Sequence, residues 1–259
     1  MNAFISGGIC MKDEHSTPVV AVIFAGGSGK RMRNSGLPKQ FLELYGKPII
    51  VYTLEQFQQH PEIESIVVSC IESHVSNLLY LVQHYNLTKV KKVVVGGPTG
   101  QISIFNALEA VEKLYTQQKK CIVLIHDGVR PLIDQETISK NILTVVEYGS
   151  CITCVPVIET VVLKNPVNKT FEIPARENSF LARAPQSFYL SDILSAHRKA
   201  IKDKMLNFTD SCSLMSYYGH SLCTTEGKVE NIKITTPTDF YIFKAILDAK
   251  ENSKIFGLL

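Results

Sequence analysis

From residue 18 onward the chain alternates short β-rich runs with segments of helical period, and that alternation restricts the fold more than any other feature. Residues 19–24 (VVAVIF), 65–70 (SIVVSC), 92–97 (KVVVGG) and 121–127 (CIVLIHD) read as strands. The uninterrupted apolar run in the first suits a strand covered on both faces, as in a parallel sheet. Between them Ile50, Leu54 and Phe57 recur at helical spacing, SHVSNLLYLVQHY reads as a helix with Ser73 as N-cap, and Ile104, Leu108 and Val111 mark a third. A further helix spans residues 135–148. Strand–helix repeats of this kind imply right-handed βαβ units and a three-layer α/β/α sandwich around a mostly parallel, Rossmann-like sheet.

The alternation stops after Cys151. Residues 156–185 have no helical period, and VIETVVLKNPVNKTFEIP reads as two strands joined at residues 165–168. A hairpin of that length, a protruding arm over residues 156–180, either folds over a site or reaches another subunit. Helical patterns return in SDILSAHRKAI and SCSLMSYY, and the last helix opens at Thr236–Pro237 with an N-cap and Pro at N1. The expected organisation is a flexible extension over residues 1–17 and a single domain over residues 18–259.

Composition excludes several classes. Hydrophobic residues are 45% and charged residues 20%, against disorder, collagen or a coiled coil. No run of eighteen apolar residues exists for a transmembrane helix. The net charge of +3 is too small to imply a nucleic-acid or membrane surface, so any need for positive charge is local. Seven scattered cysteines do not form a disulfide framework. Cys151 and Cys154 make a CxxC, but on a strand positions three apart face opposite ways, so core thiols are expected. The first residues carry Asp13 and Glu14 where a signal peptide is apolar, and a cytoplasmic location is expected.

The glycine-rich loop Ala25-Gly26-Gly27-Ser28-Gly29-Lys30-Arg31-Met32 follows the first strand directly. Ligands of open α/β sheets bind at the carboxyl ends of strands, and glycines let backbone N–H groups approach phosphates. A Walker A loop ending at Lys30 fails at Phe24 and Arg31, and a dinucleotide fingerprint fails at Met32. What remains is a loop in which Lys30, Arg31 and Lys39 can surround a polyphosphate, or a plain turn with solvated cations. Asp127 ends a strand with Arg130 three residues on, a pair able to hold hydroxyls or only each other. Lys233, in NIKIT, reads as an edge-strand charge or as a lysine aimed at phosphates.

Ala-Gly-Gly-x-Gly-x-Arg-Met followed by Pro-Lys-Gln-Phe resembles the cytidylyltransferases of the 2-C-methyl-D-erythritol 4-phosphate and ribitol 5-phosphate type. Further matches come in the family's order: Gly96-Gly97 with Ser103, His126 to Pro131, Ala184 to Phe188, Thr209-Asp210 and Asn231 to Pro237. The resemblance covers about residues 19–250 and implies the nucleotide-diphospho-sugar transferase fold. It implies CTP binding at Ala25, Gly26, Gly27, Gly29, Lys30, Gly97 and Ser103, and catalysis by Arg31, Lys39 and Lys233. Asp127, Arg130, Thr209 and Asp210 are then acceptor residues, with Thr160 and Arg176 reaching the acceptor phosphate across a homodimer. Mg²⁺ is implied, held mainly by the CTP phosphates, with no protein metal site.

Gly128-Val129 and Gly100 depart from the usual methylerythritol enzymes, as does Ala184, which stands where a threonine is common. The Gly-Leu-Pro-Lys-Gln-Phe start, the Ile-Glu-Thr-Val-Val run and the Ile-Pro-x-Arg approach favour the ribitol type. The expectation is transfer of CMP to D-ribitol 5-phosphate, supplying CDP-ribitol for teichoic acid or capsule synthesis. The alternative is the methylerythritol acceptor of isoprenoid synthesis. A non-catalytic relative, a UTP-dependent enzyme and a dehydrogenase fit the residues less well.

Overall fold

The computed structural model describes residues 17–26, 37–165 and 171–255. The expected N-terminal extension, apart from residue 17, and Gly27, Gly29, Lys30 and Arg31 lie outside the described residues.

The first strand, β1 (Val19–Ala25), lies between β4 (Ser65–Cys70) and β6 (Ile122–Asp127), parallel to both. Beyond β4 lies β5 (Val90–Val95), also parallel. On the other side β10 (Phe180–Tyr189) runs antiparallel to β6 and to β7 (Ser150–Pro156), and β11 (Thr224–Glu226) closes the edge parallel to β7. The seven-stranded order is therefore β11-β7-β10-β6-β1-β4-β5, with β10 the single reversed strand. A short hairpin of β2 (Glu43–Leu44) and β3 (Lys47–Pro48) stands apart, as does one of β8 (Leu163–Lys164) and β9 (Phe171–Glu172).

The alternation of β1 divides its side chains between the two faces. Ala21 and Ile23 pack with α1 (Ile49–Gln59), α2 (Val75–His84) and α4 (Gln135–Tyr148). Val20 and Val22 pack with α3 (Gly100–Leu114), α5 (Leu190–Lys202) and α6 (Ser211–Tyr217). Cys151 belongs to the first core and Cys154 to the second, on opposite faces of β7, and both are free thiols. Burial pushes the Cys151 thiol up to about 12, so neither redox nor metal chemistry is built there. The final helix, α7 (Pro237–Ile255), packs Phe243 with Val129 and Ile234, and Thr236 Oγ1 accepts from Asp239 N at 3.3 Å as the expected cap.

Three local expectations need correction. Ser73 does not cap α2: it lies in a 3₁₀ turn, and His74 precedes the helix without a side-chain cap bond. NIKIT is not a strand; residues 231–235 are irregular, tied to the fold by Ile234 N donating to Val129 O at 2.9 Å. The arm's two expected strands do pair, but over two residues each among the described residues, shorter than the sequence suggests, and residues 166–170 of its turn lie outside the described residues. A feature missed entirely is the ten-residue β10, which has no helical period because it is extended.

Candidate active site

The sheet order reverses at β1: the chain proceeds outward through β4 and β5, then returns to place β6 on the other side. The crevice at such a switch point, at the carboxyl ends of β1 and β6, is where open α/β sheets bind ligands. Phe24 is in register with Asp127 across it, and Gly128 N donates to Phe24 O at 3.1 Å. Gln40, buried in the 3₁₀ turn formed by Lys39–Phe41, donates from Nε2 to Ala25 O at 2.7 Å. That bond brings Lys39 toward the end of β1.

On the other side of β1, Gly26 and Gly97 are fitted around Ser103. Ser103 Oγ donates to Thr99 O at 2.8 Å and accepts from Gly97 N at 3.0 Å. A methyl on Gly26 would meet Ser103 Oγ at 2.6 Å, and one on Gly97 would meet Ile102 Cγ2 at 2.2 Å. These glycines are required by close approach. The third helix starts at Gly100, with Thr99 as its N-cap, so Gly97 precedes it and Ser103 lies within its first turn.

Asp127 organises the opposite wall. Arg130 Nε donates to Asp127 Oδ2 at 2.7 Å, Lys233 forms an ion pair with Oδ1, and Arg130 Nη1 donates to Asn231 O at 3.0 Å. Asn231 Nδ2 in turn donates to Ala184 O at 2.7 Å, which joins this segment to β10. Burial alone raises the carboxyl of Asp127, but Lys233 and Arg130 outweigh it and hold it down at about 2. Lys233 is the wetter member, its side chain 39% exposed against 7% for Asp127. It lies 5.6 Å from the Phe24 ring centroid.

Asp210 caps α6 by accepting from Ser213 N at 2.9 Å and also accepts from Gln186 Nε2 at 3.2 Å. A cavity of about 240 Å³ opens between these groups, lined by Asp127, Arg130, Thr209, Asp210 and Lys233 among others. Five predicted acceptor and catalytic residues thus share one cavity. Thr160 and Arg176 are bonded to each other, Nη2 to Oγ1 at 3.3 Å, on the exposed arm, and neither lines that cavity. Gln186, Asn231, Arg183 and His197 belong to its wall or support and were not assigned roles from sequence. Gln186 and Asn231 sit inside the matching motifs, which was the available signal.

The model of the family described as "IspD: 2-C-methyl-D-erythritol 4-phosphate cytidylyltransferase" matches residues 19–249. The chain belongs to the IspD family. Within the family, it is 54% identical over 239 residues to the ribitol-5-phosphate cytidylyltransferase of Streptococcus agalactiae serotype III, covering 92% of this chain and 99% of that one. A Vibrio parahaemolyticus protein of the same name is 51% identical, again covering 92% and 99%. A 2-C-methyl-D-erythritol 4-phosphate cytidylyltransferase from Clostridium botulinum is 37% identical, covering 88% and 96%. The crystal structure of the Anaerococcus prevotii 4-diphosphocytidyl-2C-methyl-D-erythritol synthase superposes with TM-score 0.76 at 25% identity, covering 90% and 99%. As an IspD-family member the chain is a nucleotidyltransferase, and no helix among the described residues is long and apolar enough to cross a membrane.

Proposed function

We propose that this enzyme transfers CMP from CTP to D-ribitol 5-phosphate, giving CDP-ribitol and pyrophosphate. The observation carrying this reading is 54% identity to a ribitol-5-phosphate enzyme across 92% of the chain, against 37% to a methylerythritol-phosphate enzyme. The cavity supports it: Asp127, Arg130, Thr209 and Asp210 present the hydrogen-bonding groups a polyol needs.

In this reading Gly97 and Ser103 receive the pyrimidine, while Ala25, Gly26, Gly27, Gly29 and Lys30 cradle the triphosphate. Arg31 and Lys39 neutralise its charge. An oxygen of the acceptor phosphate attacks the α-phosphorus, and the bond to the bridging oxygen of pyrophosphate breaks. No general base is needed, since the attacking oxygen is already ionised. Lys233 steadies charge developing at the α-phosphorus, and its ion pair with Asp127 fixes it before substrate arrives. Both carboxylates of the cavity are engaged, Asp127 by two cations and Asp210 by the start of α6. That donor set fits Mg²⁺ carried in on the CTP phosphates, with Asp127 and Asp210 retained for the protein's own cations and amides. When bound, the metal would supply charge neutralisation on the phosphates. CTP and a phosphorylated polyol as substrates suit a cytoplasmic enzyme supplying activated ribitol to teichoic acid or capsule synthesis.

Pyrophosphate release with CTP and Mg²⁺ is expected at least 100-fold faster in kcat/KM with D-ribitol 5-phosphate than with 2-C-methyl-D-erythritol 4-phosphate. Lys39→Ala is expected to lose about 100-fold of that rate. Preference for the methylerythritol phosphate would replace the acceptor reading with the alternative.

We also propose a homodimer in which Thr160 and Arg176 of each arm complete the partner's site. The arm carries Ile158, Leu163, Phe171, Ile173, Phe180 and Leu181 exposed, a concentration of apolar surface suited to a second copy. Arg176→Ala and Lys233→Met are each expected to be nearly inactive. After mixing under conditions that exchange subunits, about a quarter of wild-type activity should return, because half the dimers then hold one intact site. No recovery despite verified exchange would mean that Arg176 and Lys233 of one chain serve the same site, with nothing completed across the dimer.

A further inference from the structure

We propose that Arg183 and His197 form a hydroxyl-reading subsite of the acceptor cavity, selecting a pentitol phosphate over an acceptor lacking the distal hydroxyl. The inference rests on the acceptor reading above and assigns to the cavity wall the groups that make that choice.

Arg183 lies on β10 where the ladder is interrupted: Ala182 is paired with Cys154 and Gln186 with Ile152, and the residues between are out of register. Irregularities of this kind re-aim side chains. Arg183 lines the cavity, yet its Nε is shut from water without a hydrogen-bond partner, and it makes no ion pair among the described residues. The nearby carboxylates do not serve it, because Asp127 is held by Arg130 and Lys233 and Asp210 by Gln186 and Ser213 N.

His197, on α5, lines the same cavity at 1% exposure, its ring stacked 6.0 Å from Phe105. Neither ring nitrogen has a hydrogen-bond partner among the described residues. Burial keeps this imidazole neutral, pushing it down to about 4, so it offers one N–H and one lone pair. A hydroxyl also donates one hydrogen bond and accepts others, and a guanidinium only donates. The two side chains together match an alcohol. Buried donors and acceptors left without partners carry a desolvation cost, and an arriving hydroxyl removes it. A site built this way rejects the analogue without the hydroxyl far more strongly than an apolar pocket rejects an extra group.

The test crosses two acceptors, D-ribitol 5-phosphate and its 1-deoxy analogue, with wild type, Arg183→Leu and His197→Phe. Steady-state kinetics and calorimetric binding are both read. In wild type, loss of the hydroxyl is expected to lower kcat/KM about 100-fold. In each variant the two acceptors should differ less than 5-fold, with KM for CTP within 3-fold of wild type. An undiminished 100-fold penalty in folded variants, or an effect on CTP alone, overturns the subsite while leaving the acceptor reading intact. Wild type that neither binds nor turns over ribitol 5-phosphate overturns both.

Discussion

Asp127→Asn is expected to lower kcat/KM at least 1,000-fold and to reduce stability by about 3–5 kcal/mol, the range for breaking a buried charge pair from one side. Asp127 is buried, its side chain 7% exposed, and its carboxylate is the shared partner of Arg130 and Lys233. Its loss leaves Arg130, itself 8% exposed, with a buried guanidinium whose remaining bond among the described residues is to the backbone oxygen of Asn231. The same change releases Lys233, so the proposed cation at the α-phosphorus is no longer preorganised. Lys233→Met separates the two effects. Its side chain is 39% exposed, so stability should change by about 1 kcal/mol or less while turnover falls about 100-fold or more. In the double variant the stability losses should add to less than their sum, because one interaction is removed twice. Full additivity in chemical denaturation would show that Asp127 and Lys233 act independently. Near-normal turnover by Asp127→Asn would remove it from the acceptor site.

Much of this arrangement was legible because it rests on local rules. A buried parallel strand declares itself as an apolar run, and VVAVIF became β1 with its alternate residues in two separate cores. The CxxC resolved the same way, since the period of a strand places Cys151 and Cys154 on opposite faces. What escaped sequence was decided across the chain. Asn231 bridges Ala184 and Arg130, contacts separated by 47 and 101 positions, and those bonds hold NIKIT outside any strand despite its β-branched residues. Arg183 carries no signal in the sequence, because what singles it out is the register break beside it and the engagement of both nearby carboxylates. That Thr160 and Arg176 bond to each other on the arm and stand outside the cavity lining is a property of the folded chain that no sequence pattern showed.

Stability is expected to fall as pH is lowered from about 6.5 to about 4, well before the buried carboxylate is affected. His126 and His197 are both held down at about 4, chiefly by burial, against 6.5 for an ordinary imidazole. His126 also feels Asp127, which favours its protonated form, and Arg130 and Lys233, which oppose it. Its Nε2–H donates to Arg130 O at 3.2 Å, and the ring packs edge-on against Phe57. Across that window the unfolded chain binds more protons than the folded one, so the free energy of unfolding decreases as pH falls. Each histidine contributes roughly 3 kcal/mol over the full window. His60, lowered by burial as well, adds in the same direction. Asp127 acts later: its carboxyl is depressed to about 2, so its contribution is intact above about 4 and is lost toward pH 2. His197→Phe keeps an aromatic ring beside Phe105 but cannot take a proton, so the variant should lose clearly less stability than wild type between pH 6.5 and 4. Urea denaturation at half-unit steps reads the two slopes. Parallel curves would mean that His197 protonates in the folded state, and that its ring nitrogens reach solvent instead of standing ready for a substrate hydroxyl.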